Sequence, residues 1–224
     1  MNSFNFVDLT HPLEGTVPTW TGSCGFRSEI KMDYPEGCRV QQFKMHAGVG
    51  THLDAPSHFF SDGLNVGDLP LDRLIVPAIK IDVKRKVDSA RYMISPEDII
   101  DFEKKYQIPK GALVLGDTGW GRYWKDKERY RNQMQFPGFL KETVDLLLKR
   151  GIVGVGIDTL SPDGSDMTFP VHHRLLGAGG YILENVANLD NVPEIGFYVA
   201  ALPLRISEAT ESAIRCVAFI RPLA

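Results

Sequence analysis

Cysteine is scarce in this chain: Cys24, Cys38 and Cys216 are the only three, widely spaced and odd in number. That excludes a disulfide framework and a paired-cysteine zinc site, and makes a reducing compartment the default. No apolar run is long enough to span a bilayer, and the opening stretch Met1–Asp8 lacks a basic region followed by an apolar core. The expectation is a cytoplasmic protein with no membrane partner. An excess of one charge is also missing. The formal net charge is −3 with no block of like charges, which argues against a nucleic-acid partner. No Gly-x-Ser-x-Gly elbow, phosphate-binding glycine loop or dinucleotide fingerprint occurs, so covalent serine chemistry and nucleotide binding find little support. A small-molecule substrate and metal chemistry remain.

At 224 residues and 43% hydrophobic, the chain can bury a full core, and we expect one domain over 1–224. The first third is rich in Gly, Pro and aromatics and reads as short strands and long loops, with a strand near 39–46. Leu74–Val83 is a β-branched run of a buried strand, with Pro77 marking an irregularity or an edge. Ser95-Pro96-Glu97-Asp98 opens a helix with an N-cap, a proline at the first position and an acidic first turn, and Ile108-Pro109 ends it. Ala112–Leu115 and Ile152–Ile157 are further buried strands. Between them a helix spans Phe139–Arg150, with Leu140, Val144, Leu147 and Leu148 on one face and Gly151 as its stop. Strands alternating with helices in the middle and β-rich ends indicate an α/β fold with a mixed, partly barrel-like sheet flanked by helices.

The chemistry concentrates in Gly50-Thr51-His52-Leu53-Asp54-Ala55-Pro56-Ser57-His58. Residues i and i+2 of an extended segment share a side, so His52 and Asp54 can grip one ion while Pro56 bends the chain and returns His58 toward it. His46 lies just upstream. Of six histidines, five fall in two clusters, and the natural companion of the first is His172-His173, followed by Glu184 at the end of Tyr181-Ile182-Leu183. Imidazole and carboxylate together suit zinc, manganese or iron.

Other residues carry two readings. Asp158 and Asp163 sit in a polar stretch that can bind a ligand or simply turn the chain. The segment Gly116–Trp120 is read as a strand end facing ligand, and Thr51 as a group that orients a ligand or water. Trp20, Phe59, Trp120 and Trp124 either line an aromatic pocket or belong to the core. His11 is read as a turn histidine.

The Gly50–His58 segment resembles the cyclase-family metal hydrolases, which include bacterial kynurenine formamidase and isatin hydrolase. The likeness extends to Asp8-Leu9-Thr10-His11-Pro12, to Gly156-Ile157-Asp158-Thr159, and to His172 with Glu184 twelve residues beyond it. It implies metal ligation by His52, Asp54, His172 and Glu184, with His58 as proton shuttle. The family signature H-x-x-x-H-x-D-x-x-x-H has a histidine four residues before His52, where this chain has Gly48. His46 then becomes either a substitute ligand or a pocket residue. The implied protein is a homodimer or homotetramer holding one or two zinc or manganese ions per chain. Its expected reaction is hydrolysis of an aryl formamide or cyclic amide. A catalytically silent metal-binding protein and a metal-dependent lyase or cyclase are the competing readings.

Overall fold

Among the described residues, 4–221 of a computed structural model, the strands in chain order are β1 (Asn5–Asp8), β2 (Phe26–Met32), β3 (Val40–Met45), β4 (His52–Asp54), β5 (Ile75–Asp82), β6 (Met93–Ile94), β7 (Leu113–Asp117), β8 (Gly138–Phe139), β9 (Gly154–Ile157), β10 (Tyr181–Glu184), β11 (Phe197–Pro203) and β12 (Glu211–Ile220). The helices are α1 (Leu71–Leu74), α2 (Pro96–Glu103), α3 (Lys127–Arg131), α4 (Lys141–Lys149) and α5 (Pro170–Leu176). Residues 1–3, which begin the stretch read above for a leader, and residues 222–224 lie outside the described residues.

The main sheet runs β1-β12-β11-β5-β7-β9-β10-β4, and β4 pairs again with β12. That second pairing closes seven strands into a barrel and leaves β1 along the outer edge of β12. The barrel expected as partial is therefore complete. Strands β5, β7, β9 and β10 are mutually parallel, whereas β4, β12 and β11 meet their neighbours antiparallel.

Period-two alternation sorts the apolar residues into two layers. Leu53, Leu113, Leu115, Leu183, Ile214 and Cys216 turn into the barrel and fill it. Their neighbours Val114, Ile157 and Ile182 point outward, against Ile99 and Phe102 of α2, Val144 and Leu147 of α4, and Val171 and Leu175 of α5. With the interior packed by side chains, the outer wall is where a polar site can form.

Pro77 has a partner in β11 (Tyr198), but the pairing of β5 with β7 begins only at Ala78, so its missing N–H removes no bond on that side. The Ser95 cap is present: its hydroxyl accepts from the Asp98 amide while the Asp98 carboxylate accepts from the Ser95 amide. Two boundaries differ from expectation. Helix α2 ends at Glu103 rather than at Ile108-Pro109, because the amides of Lys105 and Tyr106 both turn back to the Phe102 carbonyl. Helix α4 starts at Lys141 because Phe139 is engaged in β8, paired with Ile94. Leu140 consequently sits before the helix, 36% exposed, and Thr143 takes the buried position, donating its hydroxyl to the Ile94 carbonyl.

Candidate metal centre

Three strands in two registers build the site. In β4 the pleat sends Leu53 into the barrel and His52 and Asp54 to the outer wall. Antiparallel pairing sets Glu184 of β10 opposite His52, and Glu211 of β12 opposite Asp54. Directly paired residues share a face of the sheet, so all four polar side chains stand on one side of the wall. His172, on the buried side of α5, completes the group from above, while His173 points outward.

Both buried histidines are turned by fixed partners. His52 Nδ1 lies 2.9 Å from the Gly50 carbonyl oxygen, which can only accept, so Nδ1 carries the hydrogen and Nε2 faces the site. The Gly50 carbonyl is itself held by Asn185, whose amide donates to it at 2.8 Å. His172 Nδ1 donates to Asp163. The same carboxylate accepts from the Val171 and His172 amides at 2.6 and 3.3 Å, anchoring the start of α5.

The inward nitrogens then meet carboxylate oxygens in a reciprocal pattern. His52 Nε2 is 3.6 Å from Asp54 Oδ1 and 3.3 Å from Glu184 Oε2. His172 Nε2 is 3.5 Å from Asp54 Oδ2 and 3.4 Å from Glu184 Oε1. Asp54 and Glu184 each give one oxygen to one histidine and the other oxygen to the second. Donors about 2.0–2.1 Å from a common ion at tetrahedral angles stand roughly 3.4 Å apart, which these separations match. Asp54 Oδ1 is buried and has no hydrogen-bond partner, a costly condition for a carboxylate oxygen unless a cation meets it. The donor set fits a divalent ion.

The electrostatics agree. Burial works against a charge on His52, but Asp54 and Glu184 outweigh it and push the imidazole up to about 10. His172 is likewise raised, Asp163, Asp54 and Glu184 overcoming its burial. Burial alone would raise the Asp54 carboxyl, yet His52 and His172 hold it below its usual range. Without an ion, protons fill the space between acceptors. With one, they are displaced.

His58 follows Pro56 in a short 3-10 turn and lines the same cavity of about 350 Å³. Its Nδ1 is 3.5 Å from the Thr210 hydroxyl and its Nε2 3.9 Å from Glu211 Oε2. The cavity is walled by Trp20, Phe59, Phe169 and Leu160, with His46 exposed at its margin. Phe59 stacks on His172, ring centroids 4.9 Å apart.

Residues 7–164 match the family described as "Putative cyclase". The chain belongs to the cyclase family. As a metal-dependent hydrolase of that family, it is 31% identical over 230 residues, covering all of both chains, to the kynurenine formamidase of Bacillus cytotoxicus. Among solved structures, isatin hydrolase A from Labrenzia aggregata, bound to benzyl benzoate, superposes with a TM-score of 0.90 at 30% identity, over 97% of this chain and 94% of that one. An isatin hydrolase bound to the product analogue thioisatinate gives a TM-score of 0.90 at 25% identity, over 97% and 93% of the two chains. The likeness covers the closed barrel as well as the motif.

Several cyclase-family expectations change place in the structure. The tetrad His52, Asp54, His172 and Glu184 comes together; His46 does not join it. Trp120 is a correction: it is buried against Tyr130, Phe136 and Leu160, its indole donates to the Tyr130 carbonyl, and it does not line the cavity. The Gly116–Trp120 turn does not reach the cluster of candidate ligands: its Thr118 amide, and the Gly121 amide just beyond it, donate to buried Asp158, which also lies outside that cluster. Thr51 spends its hydroxyl on the Asn185 carbonyl and the His11 amide. His11 is stacked on Trp124 at 3.8 Å rather than sitting free in a turn. Asp163, for which ligand binding and a plain turn were both open, instead holds His172, and Asn185 and Glu211 were not among the expected site residues. The helix-opening Pro170 seven residues after Asp163 was the one available signal for Asp163. Glu211 carried none.

Proposed function

We propose that this protein hydrolyses the amide bond of an aryl formamide or cyclic amide, with zinc or manganese, one or two ions per chain, on His52, Asp54, His172 and Glu184, and with His58 as the proton shuttle. The observation that carries this reading is the reciprocal facing of two oriented imidazoles and two carboxylates, with the buried Asp54 Oδ1 left unpartnered. A divalent ion bound to such donors lowers the pKa of water toward neutrality and polarises a carbonyl oxygen.

His58 borders the same cavity without belonging to the tetrad. Its Nε2 accepts a proton from the attacking water as the new C–O bond forms, then returns that proton to the nitrogen as the C–N bond breaks. A carboxylate and an amine result, as two products from a formamide and on one ring-opened product from a cyclic amide. Imidazole suits both halves because its ordinary pKa is close to neutral pH. Trp20, Phe59 and Phe169 offer flat apolar walls to an aryl group, which supports an aromatic amide.

The same reading makes residues 1–224 one working domain, since the site wall draws on β4, β10 and β12 from distant parts of the chain. A homodimer or homotetramer is supported by the exposed apolar side chains of β2 and β3, among them Ile30, Val40, Phe43 and Met45. Three unpaired cysteines support a cytoplasmic setting, and no helix of the described residues is long and apolar enough to cross a membrane.

The test is turnover of aryl formamides, cyclic amides and lactones by protein stripped of metal and reloaded with zinc or manganese. Metal-dependent release of an aromatic amine is expected. Turnover confined to lactones, or none at all, would overturn the amide hydrolase.

A further inference from the structure

Gly48 and Glu211 compete for one space. A Cβ placed on Gly48 would lie 2.5 Å from Glu211 Oε2, 3.0 Å from its Cδ and 3.1 Å from His52 Nε2. The room that a side chain at 48 would take, directly before the inward nitrogen of His52, is filled by the end of Glu211. One Glu211 oxygen, one Asp54 oxygen and one His52 ring nitrogen lie within 4.8 Å of one another. A second trio, Asp54, His172 and Glu184, meets the same criterion and shares Asp54 with the first.

We propose that Glu211 is a metal ligand: its carboxylate completes the ion position on the His52 side and stands in for the side chain that Gly48 lacks. The proposal rests on the metal site described above. Three observations carry it. The β4–β12 register places Glu211 directly across from Asp54, so its position is set by backbone pairing. The Glu211 carboxylate, with its side chain 27% exposed, makes no hydrogen bond among the described residues, and the His58 ring nitrogen nearest to it stays 3.9 Å away. The unpartnered buried oxygen of Asp54, Oδ1, is the one turned to His52 and not the one turned to His172. On the His172 side Glu184 already stands as the third donor beside Asp54 and His172. On the His52 side a third carboxylate is poised and idle.

Ion count and coordination separate this role from a simple partnership with His58. Wild type, Glu211→Ala, Asp54→Ala and the double variant Gly48→His/Glu211→Gly are stripped, reloaded with cobalt(II), and followed by elemental analysis, chelator competition and visible d–d absorption, with far-UV circular dichroism as the check on folding. Glu211→Ala is expected to lose one ion or bind it at least about tenfold more weakly, with altered d–d bands. The double variant is expected to recover the wild-type ion count, because an imidazole from 48 enters the space the carboxylate leaves. If Glu211→Ala keeps the wild-type count, affinity and spectrum while Asp54→Ala loses them, Glu211 is not a ligand and the metal site itself stands. A wild type that takes up no ion overturns both.

Discussion

Asp54 and Glu211 face each other in register across β4 and β12, and the strand that holds Asp54 is paired on its other edge with the strand that ends in Glu184. A three-residue strand pinned on both sides cannot slip by one residue without sending His52 and Asp54 into the apolar barrel and Leu53 out of it. The geometry of the metal centre is thus a consequence of barrel closure.

Replacing His58 by Ala is expected to lower turnover by roughly 10²–10⁴-fold, the usual size of a general acid–base contribution, and to leave the metal content unchanged. Asp54→Ala is expected to lose metal and turnover together. Steady-state kinetics beside elemental analysis checks both, and an active His58→Ala would sink the shuttle.

Asp163 would act on a bound ion through His172, whose Nδ1 it holds. Asp163→Asn keeps much of the shape but removes the charge that fixes the Nδ1 hydrogen, and should weaken metal binding by about 10–100-fold. Asp163→Ala should in addition cost roughly 1 kcal/mol of stability from the lost helix start. Chelator competition reads the first effect and urea unfolding the second.

Acid should destabilise the fold through His11. Burial against Trp124 lowers its pKa to about 4 from 6.5. The unfolded chain therefore takes up the proton first, so the stability from neutral His11 is present above about pH 6.5 and lost as pH falls through about 4. Linkage sets an upper bound of about 3 kcal/mol. In urea unfolding between pH 7 and 4, His11→Phe should show a flatter loss than wild type. Equal slopes would remove His11 from the acid limb.

Stripping the metal should reverse the pH trend at the site. In ion-free protein the His52 imidazole titrates at about 10, above its unfolded value. The stability from its protonated form is full below about pH 6.5 and declines as pH climbs through about 10. An ion competes with that proton and gains as pH rises. The Tm increase on adding zinc should therefore be larger at pH 9 than at pH 6.5, as thermal scans of stripped and loaded protein would record.

What the sequence determined by itself was local. The i, i+2 spacing of His52 and Asp54, the bend at Pro56 before His58, the Ser95 capping box and the alternation of buried strands all follow from backbone geometry within a few residues, and each is present in the structure. Trp120 was not legible: an indole that completes a core and one that walls a cavity have the same local pattern, and only packing against Tyr130 and Phe136 separates them. Glu211 was less legible still. It begins an ordinary strand, and its approach to Asp54 exists only because β4 closes the barrel onto β12. Tertiary structure also decided that the emptiness at Gly48 is occupied, since the competing atoms come from opposite ends of the chain and no spacing rule connects them.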